Sequence, residues 1–116
     1  MSDNYEKDMA LTLQEALSII NSVEESKIEI STYEKTISFI LQYQLKKEEV
    51  VEIIRSLNEK HYIRGPIPDN KTSERRNKPV WIFKKNWDGI ILYIKIKIFI
   101  TNRKVLIVSI HEDETE

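Results

Sequence analysis

The run IILYIKIKIFITNRKVLIVSI, residues 90–110, constrains this chain more than any other stretch. At its centre the alternation is strict. Leu92, Ile94, Ile96, Ile98 and Ile100 fall on one side of a β-strand, and Tyr93, Lys95, Lys97 and Phe99 on the other. An aliphatic side of that length needs a cover, so it belongs to the core and the other side to an open face. The next strand, 104–110, is apolar on both sides and cannot orient itself. The hairpin loop has to do it. With a two-residue loop (102–103), Ile94 faces His111 and the imidazole enters the core. With a three-residue loop (101–103), Ile94 pairs with Ile110, Ile96 with Val108 and Ile98 with Leu106. Tyr93 then pairs with His111, and Lys95 with Ser109. A slip of one residue turns a whole side-chain set to the wrong face, so the three-residue register is expected. Upstream, VWIFKK leads into a two-residue turn at Asp88-Gly89 that pairs Phe83 with Ile94 and Lys84 with Tyr93. Trp81 and Phe83 then join the core.

The earlier segments supply the cover. Thr12 and Glu15 have the spacing of a capping box, and Leu13, Ala16, Leu17, Ile20 and Val23 follow at helical intervals. KIEIS, 27–31, alternates and reads as a short edge strand. Ser31 and Glu34 form a second capping box, for a helix from about Thr32 to Tyr43 with Ile37, Ile40 and Leu41 inward. KKEEVVEIIRSLN gives a third helix, with Val50, Ile53, Ile54 and Leu57 as its buried stripe. Residues 61–79 hold all three prolines and show no periodicity, so they are expected to be one long loop, carrying Arg64, Lys71, Arg75, Arg76 and Lys78. Helices first, then an antiparallel meander, indicates an α+β fold with N-terminal helices packed on one face of a small antiparallel sheet. The expected organisation is a flexible tail over 1–10 and a single domain over 11–116.

Composition narrows the function. The chain has no cysteine, which excludes disulfides and thiolate metal sites and suits a reducing compartment. Its two histidines, about fifty residues apart, write no short-range metal motif. No metal or cofactor is expected. The start MSDNYEKDMA lacks the basic and apolar regions of a signal peptide, and the most apolar run is too short for a membrane span. A cytoplasmic protein without a membrane partner is expected. The overall charge of −1 hides a segregation. Residues 1–59 carry 12 Asp/Glu against 6 Lys/Arg, and residues 60–104 carry 12 Lys/Arg against 3 Asp/Glu. Such a basic block suits an anionic partner, RNA above all; equally, acidic helices folding onto a basic sheet would neutralise it.

The expected register gathers Lys84, Tyr93, Lys95, Lys97, Ser109 and His111 on the open face. Lysines there are commonly just solvated, and the plain reading suits Lys97. Tyr93 and His111 together argue for chemistry. A phenol, an imidazole and a cationic clamp are what RNA cleavage without metal requires. A base takes the ribose 2′-hydroxyl proton, cations hold the phosphorane charge, and an acid protonates the leaving 5′-oxygen. His61, at the mouth of the basic loop, reads as structural.

Three pieces in this order, HYIRGPIPD, VWIFKK and LYIKIKI…KVLIVSIHED, resemble the MqsR family of toxins from bacterial toxin–antitoxin systems, over about residues 45 to 113. The resemblance implies a RelE-like fold, metal-independent cleavage of messenger RNA and silencing by a cognate antitoxin, and leaves the ribosome open as a further partner. By position it places Arg64 and His111 on lysines of the family's site and Tyr93 on its tyrosine. A site glutamine just after the tryptophan is Ile82 here. Arginine stays protonated and cannot act as a base, so Arg64 is left to hold phosphate, and proton transfer moves to His111 with Tyr93. Catalytic Arg64, Tyr93 and His111, with Lys84, Lys95, Lys97, Arg75 and Arg76 as RNA contacts, is the expected site. The GPIPD turn is expected to aim Arg64 at the sheet, with Asp69 bracing a cation. The competing reading is a non-catalytic RNA- or protein-binding module of the same fold.

Overall fold

The computed structural model describes residues 5–69 and 78–114. The chain runs α1 (Tyr5–Met9), α2 (Leu13–Ser22), β1 (Ile28–Ile30), α3 (Glu34–Tyr43), α4 (Lys47–Arg55), β2 (Tyr62–Ile67), β3 (Val80–Trp87), β4 (Ile90–Phe99) and β5 (Lys104–Glu112). Single 3-10 turns sit at Glu25–Lys27 and Glu59–His61. The strands form one sheet in the order β1-β5-β4-β3-β2. α2, α3 and α4 bury their apolar sides with Trp81, Phe83, the even-numbered residues Leu92 to Ile98, Val105, Ile107 and Ile110. No helix among the described residues is long and apolar enough to cross a membrane. The α+β architecture is as expected. The sheet is mixed rather than antiparallel, because β1 runs parallel to β5, with Ile28 opposite Val105 and Ile30 opposite Ile107. Alternation fixes the face a strand buries and is silent on its direction.

The β3–β4 hairpin has the expected register, Phe83 with Ile94 and Lys84 with Tyr93, around a turn in which Asp88 and Gly89 both have positive φ. In the β4–β5 hairpin the register divides. Tyr93 pairs with His111, Ile94 with Ile110 and Lys95 with Ser109, as expected; beyond them Ile96 pairs with Ile107 and Ile98 with Val105. The expected pairings of Ile96 with Val108 and Ile98 with Leu106 do not form. A β-bulge leaves Val108 as the extra residue, and the connection lengthens to residues 100–103. Val105, Ile107 and Ile110 are all fully buried as a result. Since β5 is apolar on both sides, its pattern could not announce the switch.

Two hydroxyls hold the bulge where β1 has run out. Ser31 Oγ donates to the Val108 carbonyl at 2.6 Å, and Thr36 Oγ1 accepts from the Ile110 N–H at 3.0 Å. Both groups would otherwise be unpaired at a sheet edge, which is costly. Their engagement revises α3. Ser31 ends β1, with its own N–H bonded to the Ile107 carbonyl, so it cannot box the helix and α3 begins at Glu34. Thr36 and Phe39 face the sheet, which turns Ile37 and Leu41 outward, 40 % and 70 % exposed, while Ile40 alone of the expected stripe packs against the core. α2 and α4 match their reading. Glu15 N–H donates to Thr12 Oγ1 and Thr12 N–H to Glu15 Oε1, and Val50, Ile53, Ile54 and Leu57 are buried.

Two further expectations change. Residues 5–9 form a helix instead of continuing a flexible tail, tied down by a 2.8 Å ion pair between buried Asp8 and Lys78. Residues 62–67, read as loop, form β2 on the sheet edge, where proline is tolerated, with register shifts on both sides of Arg64. Gly65 makes that pairing sterically feasible. Its φ is +134°, and a Cβ would lie 2.8 Å from Trp81 Cα and from the Val80 carbonyl oxygen. Gly65→Ala should therefore cost about 1–3 kcal/mol of stability, read as a lower urea midpoint; an unchanged midpoint would contradict this packing.

Candidate functional site

The bulge decides what stands on the face away from the helices. Below it, toward the end of β5, one row across the sheet is Lys84, Tyr93 and His111. The neighbouring row is Arg64, Ile82, Lys95 and Ser109. The Tyr93 and His111 rings stack at 5.4 Å between centroids, 29° from parallel. His111 Nδ1 lies 2.9 Å from the Glu112 carbonyl. A carbonyl only accepts, so Nδ1 carries the hydrogen and, in the neutral ring, Nε2 is left as the acceptor. Burial raises the Tyr93 pKa above its ordinary 10, only partly offset by the positive charges of Arg64 and Lys84. The phenol is protonated through neutral pH.

The cations differ in availability. Arg64 is exposed and has no ion pair among the described residues. Lys84 pairs with Asp113 at 3.0 Å. Lys95 lies 3.6 Å from Asp69, the longest of the ion pairs among the described residues. Lys97 is 1 % exposed and pairs with Asp69 at 2.9 Å. Lys97 is thus neither solvated nor able to meet a phosphate; it is a buried ion held by the segment that follows β2. Asp69 braces a cation as expected, and it braces two. Arg75 and Arg76, with Lys71, lie outside the described residues. Lys78 is drawn away to Asp8 and stands 5.5 Å from the centre of the Phe99 ring.

His61 takes a structural position. Its Nδ1 accepts from the Asn58 N–H at 3.0 Å and closes a 3-10 turn. Its pKa is lowered, first by burial and then by Lys85 and Lys60, which suits an acceptor nitrogen.

Sequence reasoning missed Tyr33 and Asp113. Tyr33, at the start of α3, stands 6.2 Å from the His111 ring, on a pocket of about 360 Å³ shared with Ser31, Thr32, Asp69, Tyr93, Lys95, Val108, Ser109 and His111. Nothing local in the sequence marks Tyr33, because its position depends on how α3 docks. Asp113 lies two residues past His111, and strand parity could have placed it beside Lys84.

No protein-family model, curated protein or solved structure matches this chain. What the arrangement can do rests on its geometry. It presents an imidazole with an acceptor nitrogen, a protonated phenol stacked on it, a loosely paired ammonium and, across Ile82 in the same row, one exposed guanidinium.

The Asp69–Lys97 pair yields a stability test. Asp69→Asn leaves a buried ammonium without its carboxylate and should cost about 3–5 kcal/mol, whereas Lys97→Met paired with Asp69→Leu should cost little or stabilise. Urea unfolding of the single and double variants checks this; equal, small effects from both would mean that Lys97 is solvated.

Proposed function

We propose that this chain is a metal-independent endoribonuclease of the messenger-RNA interferase type, with a RelE-like fold, acting on single-stranded RNA in the cytoplasm and neutralised by a cognate antitoxin. The observation that carries this reading is the stacked Tyr93–His111 pair with Nε2 as acceptor, flanked by Arg64 and Lys95. The resemblance of residues 45–113 to the MqsR family supports it.

In this mechanism His111 Nε2 takes the proton of a ribose 2′-hydroxyl. The freed oxygen attacks the adjacent phosphorus, the bond from phosphorus to the 5′-oxygen breaks, and Tyr93 supplies that oxygen with a proton. The products are a 2′,3′-cyclic phosphate and a 5′-hydroxyl. Arg64 and Lys95 hold the charge that builds on the phosphorane oxygens. An incoming phosphate displaces only a 3.6 Å contact to reach Lys95, whereas Lys84 must first leave a 3.0 Å pair with Asp113.

A second reading has its own support. Ile37 and Leu41 form an exposed apolar stripe on α3, which suits a non-catalytic protein-binding module. Incubation of purified protein with a defined messenger RNA in excess EDTA separates the two. The ribonuclease should leave cyclic phosphate ends, and His111→Ala should slow cleavage about 100- to 10,000-fold. The rate should fall at alkaline pH only above about 10, where Tyr93 loses its proton. RNA left intact by the wild-type protein, with and without ribosomes, would select the binding module. Cleavage undiminished in His111→Ala would move the chemistry to other residues.

A further inference from the structure

The pocket between the segment leading into α3 and the β4–β5 rows is more than a margin of the Tyr93–His111 pair. Its volume, about 360 Å³, is at the small end of ligand sites and large enough for one nucleotide. Ser109 lines it and is only 6 % exposed, yet its hydroxyl has no hydrogen-bond partner among the described residues. On a largely buried residue that lines a cavity, such a hydroxyl is open to a partner inside the pocket. Lys95, one row position from Ser109, lines the same pocket with its charge only loosely met by Asp69. Tyr33 lines the same pocket, 43 % exposed, its backbone fixed by an N–H donated to Ser31 Oγ at 3.2 Å, and Ser31 is itself tied to the bulge. The pocket therefore brings together an aromatic ring, a cation and an unpaired hydroxyl.

We propose that this pocket seats one unpaired nucleotide, its base stacked on Tyr33 and its phosphate held by Lys95 and the Ser109 hydroxyl. The proposal rests on the ribonuclease reading for RNA as the strand concerned, and it gives that reading a place for the nucleotide beside the scissile bond. It also accounts for single-strand preference. A pocket that admits one base against a ring excludes a base already paired in a duplex, and base–aromatic stacking tolerates any sequence.

The test uses a short single-stranded RNA with 2′-O-methyl riboses, which cannot be cleaved, and measures Kd at fixed salt. Tyr33→Ala should weaken binding about 5- to 150-fold with the salt dependence unchanged, and Tyr33→Phe should bind as the wild type does. Lys95→Met should lower the salt slope by about one. Tyr33→Trp should keep the affinity, with its emission quenched by the bound base. Affinity unchanged in Tyr33→Ala, or emission of Tyr33→Trp unaltered by RNA, overturns the pocket assignment while leaving cleavage in EDTA to speak for the ribonuclease. Tyr33-dependent binding without cleavage of ordinary RNA keeps the pocket and removes the ribonuclease. Absence of both binding and cleavage overturns both.

Discussion

The extra residue at Val108 is the constraint on which the rest of this molecule depends. It lets Val105, Ile107 and Ile110 all enter the core while Ser109 and His111 emerge beside Lys95 and Tyr93. A bulge interrupts its ladder, so it needs other partners, and here they come from two elements far away in sequence. Ser31 at the end of β1 supplies the missing donor and Thr36 in α3 the missing acceptor. The same two bonds dock α3 against β5, set the helix's rotation and carry Tyr33 to the side of His111. Core, helix orientation and candidate site are thus settled by one local irregularity and the hydroxyls that cap it.

Charge is handled by the same economy of contacts. The basic stretch is met largely from within: Asp8 takes Lys78, Asp113 takes Lys84, and Asp69 takes Lys97 firmly and Lys95 loosely. Internal pairing thus answers the basic rows of the sheet, but of these three carboxylates only Asp8 comes from a helix. Arg64 is the exception on the site's rim. A buried ion pair contributes little net stability but fixes geometry, since either partner alone is costly to bury. Asp69 between two lysines thus fastens the segment after β2 over the sheet.

Much of this was legible from residues alone. The alternation of 90–100 and the Asp88-Gly89 turn fixed one hairpin completely, and the need to keep His111 out of the core fixed the site half of the other. Thr12 and Glu15 announced α2, and the stripe of α4 was read correctly. The failures share a cause. β2 was hidden because Gly65 and Pro66 signal loop, whereas an edge strand accepts both. The face of α3 was misread because Ile37 and Leu41 are more apolar than Thr36, and no propensity reveals that a buried threonine answers a particular N–H in β5. Lys97 was misplaced because its neighbour Asp69 is 28 positions away. Local pattern records burial; it does not record which distant group a polar side chain must satisfy.

In the proposed function RNA meets this protein on the face bearing His111. With only two histidines in the chain, imidazole proton spectra give a direct answer. Titration with a 2′-O-methyl single-stranded RNA in EDTA should shift the His111 ring resonances and leave those of His61, locked in its 3-10 turn, in place. Movement of His61 alone, or of neither ring at saturating RNA, would contradict the account.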